Sequence, residues 1–216
     1  MTASSRSPSR PPSRSPSKGE LTRERIVATA ARVFNRRGYA GTSMADLMVA
    51  SGLEKGGIYR HFESKDELAL AAFDHAVTLH GARVRSHVER GHTAVARLEA
   101  LATAVASIVE DPPVPGGCPL LNTAVESDGA SGAPYEALRE RTRAAMRKLI
   151  NYTRKIIDAG VASGELRAGV DAEHEASMMV ATLEGALMLS MLYADPEYVR
   201  RAVGHAAARA RSLAAG

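Results

Sequence analysis

Apolar residues recur at helical spacing along most of the chain. In the first such segment, Ile26, Ala30 and Val33 fall on one helical face, and Gly38 follows where a helix would end. Alternation of apolar and polar residues, which is typical of a half-buried strand, does not run long enough to predict one. The pattern therefore predicts an all-α fold.

Capping residues and chain breakers set the bounds of the predicted helices. Ser43 with Asp46, and Ser64 with Glu67, have the spacing of a capping box at a helix N-terminus. We expect Gly160 to interrupt the seventh helix, because glycine commonly follows a helix C-terminus. The predicted helices cover residues 22–37, 43–51, 55–62, 64–87, 94–109, 119–126, 134–159, 172–193 and 196–213.

The chain divides into a small N-terminal head, residues 20–68, and a larger helical body, residues 69–216. Residues 1–19 alternate Ser, Pro and Arg, so we expect a disordered basic arm there. Residues 1–65 hold 12 Lys and Arg against 5 Asp and Glu, whereas the remaining residues hold 16 against 19. A basic head on a mildly acidic body is typical of a module that binds a polyanion, although a solvated basic face gives the same balance.

Composition excludes several classes of protein. The single cysteine, Cys118, rules out an internal disulfide and a cysteine-cluster zinc site, and a lone thiol fits the reducing cytoplasm. No run of about 18 apolar residues predicts a membrane span, and the N-terminus lacks the apolar region of a secretory signal. Phosphate-loop and dinucleotide motifs are also absent. We therefore expect a cytoplasmic protein that is not an enzyme, holds no cofactor and does not act at a membrane.

Residues 43–62 have the chemistry of a DNA-reading helix-turn-helix. Two short helices are joined by a turn at Gly52, and the second helix has donors at Lys55, Tyr59 and Arg60. Apolar residues between these donors are expected to anchor the helix to the core of the head. The N-terminus of the following helix supplies backbone N–H groups and a positive dipole end that can hold a phosphate.

Residues 52–68, Gly-Leu-Glu-Lys-Gly-Gly-Ile-Tyr-Arg-His-Phe-Glu-Ser-Lys-Asp-Glu-Leu, resemble the signature of TetR/AcrR-type regulators. Residues 31–42, with Phe34, Gly38 and Tyr39, are similar to the preceding part of the same pattern. The resemblance implies a third helix in the major groove and homodimers on palindromic double-stranded DNA operators. Carried over by position, it implies DNA contacts at Thr42, Ser43, Lys55, Gly57, Tyr59, Arg60, His61 and Lys65.

Three residues depart from the pattern of that family. Met48 stands where a small residue usually lets two helices cross closely, and Glu54 stands where Ser or Thr commonly caps the reading helix. Gly57 replaces a frequent Thr, Ser or Ala, which removes one apolar contact with a thymine. We therefore expect specificity to depend on Lys55, Arg60 and DNA shape.

The resemblance also implies a body that dimerises and binds a small-molecule effector. Ser177, Ala181 and Gly185 form a small-residue ridge at i, i+4 and i+8, with Met188 beside it. We expect this ridge to pack against a second copy, although an alanine-rich monomer core is the alternative. Few aromatic residues and many Ala, Leu and Met favour an apolar effector. The expected ligand-contacting residues are Leu101, Val105, Cys118, Leu121, Tyr152, Met179 and Leu183.

Cys118 allows two hypotheses. A thiol just before a predicted helix has a lowered pKa and reacts with electrophiles, whereas a buried cysteine is an inert apolar residue. A metal site is not expected, because Arg83 lies between His80 and His87 on their shared helical face and repels a divalent cation.

The sequence and the family resemblance together predict a ligand-responsive repressor. An activator or ligand-independent regulator is the alternative, and a cysteine-dependent enzyme is a remote one.

Overall fold

The computed structural model describes residues 17–215 of the 216-residue chain. Within this range it contains nine helices, and the β-structure there is a single isolated bridge between Leu166 and Ala214. The predicted all-α fold is confirmed. The helices are α1 (Lys18–Arg37), α2 (Met44–Ser51), α3 (Lys55–Tyr59), α4 (Lys65–Val88), α5 (Ala94–Ala106), α6 (Pro119–Ser127), α7 (Ala133–Ser163), α8 (Ala172–Leu192) and α9 (Glu197–Ser212).

Helix α1 begins four residues before the predicted start at residue 22. The Ser17 hydroxyl accepts a hydrogen bond from the Glu20 backbone N–H at 3.2 Å, and the Glu20 carboxylate accepts one from the Ser17 N–H at 2.6 Å. This capping box satisfies backbone N–H groups that the first turn leaves free. The assignment of residues 17–19 to a disordered arm was therefore wrong, and the predicted disorder of residues 1–16 lies outside the described residues.

Helix α7 runs through Gly160, so the predicted interruption there was wrong. A Cβ atom at Gly160 would lie 2.5 Å from the Ala94 Cβ and 2.8 Å from a Leu166 methyl carbon. The glycine is required by the close approach of two other segments, and it does not terminate the helix. Two helices end three residues earlier than predicted, α3 at Tyr59 and α5 at Ala106, and both continue as hydrogen-bonded turns.

Two apolar cores are joined by α4. The head core contains Ile26 of α1, Leu47 of α2 and Ile58 of α3, together with the first half of α4. The body core lies between the second half of α4 and helices α5 to α9. Helix α4 is about 36 Å long at 1.5 Å per residue, and as one continuous helix it connects the head rigidly to the centre of the body.

Among the described residues, α8 is the one helix whose length and hydropathy would suffice to cross a bilayer. Its inner face packs against α7 and α9, and Glu184 in its middle is buried. Its outer face carries exposed apolar side chains, including Met178, Met188 and Leu192. Helix α8 is therefore a core helix of the body, and one apolar edge of it is not covered by the described residues.

Candidate DNA interface and effector cavity

Local hydrogen bonds position the two helices of the helix-turn-helix. The Ser43 hydroxyl accepts from the Asp46 N–H at 3.1 Å, and the Asp46 carboxylate accepts from the Ser43 N–H at 2.8 Å, which confirms the predicted capping box of α2. Arg37 at the end of α1 forms an ion pair with Asp46 at 2.9 Å. These bonds lower the pKa of Asp46, chiefly through Ser43. The start of α2 is thereby fixed to the end of α1.

Helix α3 is anchored on one side and exposed on the other. Ile58 is fully buried, whereas Lys55, Tyr59 and Arg60 are exposed. The Lys55 ammonium lies 5.6 Å from the Tyr59 ring centroid, a cation–π distance that orders both side chains. Glu54, which occupies the N-cap position, makes no side-chain capping bond. The N–H groups at the start of α3 therefore remain available to another acceptor.

Lys65 is the first residue of α4, and its side chain is held in place. Its ammonium lies 4.0 Å from the Tyr39 ring centroid, and the Tyr39 hydroxyl donates to the Asp66 carboxylate. Burial and the Asp66 carboxylate raise the pKa of Tyr39, so the hydroxyl keeps its proton. Lys65 thus joins the exposed donors around α3 as a fixed positive charge at a helix N-terminus.

The structure separates one predicted DNA contact from the others. Thr42 is 1% exposed, and its hydroxyl donates to the Gly38 carbonyl at 2.7 Å. A buried and already bonded hydroxyl cannot reach a phosphate, so we correct that prediction: Thr42 stabilises the turn before α2. The other predicted contacts are exposed or half-buried on the segments around α3, namely Ser43, Lys55, Gly57, Tyr59, Arg60, His61 and Lys65.

A set of hydrogen bonds ties α6 to the head. The Glu126 carboxylate accepts from the backbone N–H groups of Tyr39 and Ala40, each at 2.9 Å. The Asn122 amide donates to the Asn35 carbonyl at 3.1 Å. Nothing local in the sequence indicates that Asn122 and Glu126 lie beside the end of α1.

A cavity of about 420 Å³ lies in the body between α4, α5, α6, α7 and α8. Three of the predicted ligand-contacting residues line it: Val105, Cys118 and Tyr152. Its walls also include two residues that carry buried polar atoms, His80 of α4 and Glu184 of α8. The place of His80 in a cavity wall is not evident from its spacing to His87 in the sequence.

The other four predicted ligand contacts lie elsewhere. Leu101, Met179 and Leu183 are buried in the body core and line neither of the two cavities described here. Leu121 lines a second cavity of about 570 Å³, between α1, α4 and α6 at the junction of head and body. These four residues are apolar like much of the wall of the 420 Å³ cavity, but packing places them away from that wall.

Cys118 is a buried residue, so the structure agrees with the second of the two hypotheses for it. It is 3% exposed, and its thiol donates to Glu184 Oε1 at 3.3 Å. Burial and the Glu184 carboxylate raise the pKa of the thiol well above its ordinary value. The loss of hydration raises the pKa of the thiol by more than the helix N-terminus lowers it. The thiolate needed for reaction with electrophiles is therefore disfavoured.

The predicted dimerisation residues form a stripe on the outer face of α8. Ala181 and Met188 are exposed, and Ser177 and Gly185 are half-buried. A Cβ atom at Gly185 would meet no other atom within 4 Å. The side of α8 at Gly185 is therefore open. Within residues 17–215, no three His, Cys, Asp or Glu side chains lie close enough to hold a metal ion.

A basic three-helix head with an exposed reading helix, on a helical body that contains a cavity, defines the class of helix-turn-helix transcriptional regulators. Residues 26–72 match the family described as bacterial regulatory proteins, tetR family. Residues 94–206 match the tetracyclin repressor-like C-terminal domain. This chain belongs to the TetR family of DNA-binding transcriptional regulators, as its sequence predicted.

Individual relatives agree with this assignment. A TetR transcriptional regulator from Chloroflexus aurantiacus is 44% identical, with a TM-score of 0.86 over 91% of this chain and 98% of that one. An uncharacterised HTH-type regulator from Lactococcus lactis is 25% identical over 81% of this chain and 85% of its own length. CifR, a TetR-family regulator solved with 26-base-pair operator DNA, shares the fold at 24% identity and a TM-score of 0.76, over 92% of this chain and 98% of that one. The uncharacterised HTH-type regulator YerO from Bacillus subtilis is 36% identical over 55 residues, which are 26% of this chain and 19% of that protein.

Proposed function

We propose that this protein is a cytoplasmic, ligand-responsive repressor that binds a palindromic DNA operator as a homodimer and releases it when a small molecule enters the 420 Å³ cavity. The observation that carries the proposal is the group of exposed donors on α3 and at the start of α4, on a basic head that α4 joins to the cavity. An activator would use the same contacts, and the effect of ligand on the operator complex separates the two.

The donors around α3 divide into two kinds of DNA contact. Lys55 and Arg60 are long, exposed cations near the N-terminus and the end of α3, where they can reach base edges or phosphates. Tyr59 and Lys65 are held by neighbouring side chains and suit phosphate oxygens. A Cβ atom at Gly56 would meet no other atom within 4 Å, so the DNA can approach the backbone closely at this position.

Helices α4 and α6 offer a route from the cavity to the head. The start of α6, at Cys118 and Leu120, lines the cavity, and Glu126 near its end binds two backbone N–H groups of the head. Helix α4 lines the cavity at His80 and begins with Lys65. A ligand that moves either helix changes the spacing of the two heads in a dimer, which favours the form that does not span both half-sites.

The outer face of α8 supports dimerisation. Its small residues, Ala181 and Gly185, allow close approach of a second helix, and the exposed Met178, Met188 and Leu192 supply apolar area. Antiparallel packing of this face about a two-fold axis would bury side chains that water now surrounds.

The proposal is tested on an operator selected from a randomised DNA library. Each charged phosphate contact contributes about 0.9 to the slope of log K against log salt, so Lys65→Ala should lower the slope by about 1.8 per dimer. Tyr59→Phe removes an uncharged donor, and we expect about tenfold weaker binding with the slope unchanged. Lys155→Ala, at an exposed position of α7 in the body, is the matched control and should change neither quantity.

Two results would contradict the proposal. An unchanged slope for Lys65→Ala together with unchanged affinity for Tyr59→Phe would place the DNA elsewhere. An operator complex that no cavity-binding molecule weakens would support a ligand-independent regulator instead.

A further inference from the structure

The inner wall of the body cavity carries hydrogen-bonding atoms that lack partners. Glu184 is 8% exposed, and while its Oε1 accepts the Cys118 thiol at 3.3 Å, its Oε2 has no hydrogen-bond partner among the described residues. Both ring nitrogens of His80 are inaccessible to solvent and likewise have no partner there. Buried polar atoms in folded proteins are bonded in more than about 90% of cases, so three such atoms in the wall of one cavity point to a ligand.

The chemistry of these atoms limits what the ligand can be. A neutral imidazole offers one donor and one acceptor, and the free carboxyl oxygen of Glu184 is an acceptor when ionised. Burial lowers the pKa of His80 to about 4 and raises the pKa of Glu184, so both groups are shifted towards their uncharged forms. A hydroxyl group, which donates and accepts at once, matches both partners.

Charged ligands fit this wall less well. A carboxylate bound beside Glu184 would face the Glu184 carboxyl group, with His80 as the neighbouring N–H donor. An ammonium group would be repelled by Arg85 and Lys148, two exposed cations in the same cavity wall. The remaining wall is largely aliphatic, with Val84 and Ile108 among its residues.

We propose that the cavity binds an uncharged, largely apolar molecule that carries a hydroxyl group, and that this hydroxyl bonds to Glu184 and His80. The inference rests on the proposed function, because it takes the cavity to be the effector site. It also refines the sequence-based expectation of an apolar effector, since it adds one polar group at a defined wall of the cavity.

The test compares four probes on the full-length protein: 4-phenylphenol, biphenyl, biphenyl-4-carboxylate and 4-(aminomethyl)biphenyl. Dissociation constants follow from the rise in melting temperature with probe concentration. We expect 4-phenylphenol to bind about tenfold more tightly than biphenyl, and both charged probes to bind more weakly than 4-phenylphenol. Glu184→Leu and His80→Phe should each reduce the preference for the hydroxyl to less than about threefold, because each variant removes one of the two hydrogen-bonding partners.

A second readout separates recognition from a structural role. Since no described residue forms a hydrogen bond with Glu184 Oε2 or the His80 nitrogens, the two variants should melt at or above the temperature of the unliganded parent protein. Thr142→Val is the matched control, because Thr142 is a buried polar residue of α7 that does not line the cavity, and it should keep the tenfold preference.

Three outcomes would overturn the inference: equal affinity for 4-phenylphenol and biphenyl, a preference that survives in both variants, or no binding of any probe. The salt dependence of operator binding is measured separately on the same proteins. If the operator complex is intact but the protein shows no preference for 4-phenylphenol over biphenyl, this inference alone is contradicted. If Lys65→Ala and Tyr59→Phe do not change operator binding, the proposed function is contradicted.

Discussion

His80 should make the folded protein sensitive to mild acid. Burial, with a smaller contribution from Arg83, lowers the pKa of this residue from 6.5 to about 4. Between these values the unfolded chain binds a proton at His80 that the folded protein does not bind. The free energy of unfolding must therefore fall as the pH falls through this window, and His80 has no effect above it.

The size of this effect follows from the width of the window. One pKa unit corresponds to about 1.4 kcal/mol, so lowering the pH from 7.5 to 5 covers about 1.5 units below 6.5 and should remove about 2 kcal/mol of stability. His80→Phe fills the same space without a titrating group. We expect its stability to exceed that of the parent protein by about 2 kcal/mol more at pH 5 than at pH 7.5.

Urea unfolding at both pH values, at one protein concentration, measures the difference between the two proteins. Carboxylates that titrate near pH 5 are common to both and cancel. His92→Phe, at an exposed position after α4, is the control and should follow the parent protein. If the parent protein and His80→Phe lose equal stability on acidification, His80 is hydrated, and the argument from burial is refuted.

Four further predictions concern packing, reactivity, assembly and coupling. Gly160→Ala should cost about 1–3 kcal/mol in thermal unfolding because its Cβ would overlap Ala94, whereas Gly204→Ala, with nothing within 4 Å, should be neutral or stabilising; equal effects would contradict the close approach. Cys118 should resist iodoacetamide at pH 8 in the folded protein and react in urea, as followed by mass spectrometry, and rapid labelling of the native protein would restore the sensor hypothesis. Ala181→Arg should give a monomer by light scattering while Ala159→Arg on α7 should not, and a dimer in both would place the interface elsewhere. Glu126→Ala should speed amide hydrogen exchange at Tyr39 and Ala40, with the amide of Leu47 as the unchanged reference, and unchanged exchange at all three would show that α6 does not hold the head.

Helix positions in this protein are largely determined by interactions between near neighbours in sequence. The capping pair of Ser43 and Asp46 and the apolar period of α1 involve residues three or four apart, so they could be recognised in the sequence. The capping box of Ser17 and Glu20 was equally visible, but the Pro- and Ser-rich residues before it led to a prediction of disorder. The helix-turn-helix could be recognised in the sequence for the same reason, because its hydrogen-bond donors lie within one short stretch.

Only the tertiary structure decided which apolar residues line a cavity and which polar residues lose their water. Leu101 and Val105 lie one turn apart on α5, yet only Val105 faces the cavity. Burial and Glu184, which is 66 residues away, raise the pKa of Cys118 by more than the local helix N-terminus lowers it. Gly160 was misassigned because its constraint comes from Ala94, in a different helix. Periodicity and capping are local and can be read from the chain, whereas burial, cavities and pKa shifts arise where distant segments meet.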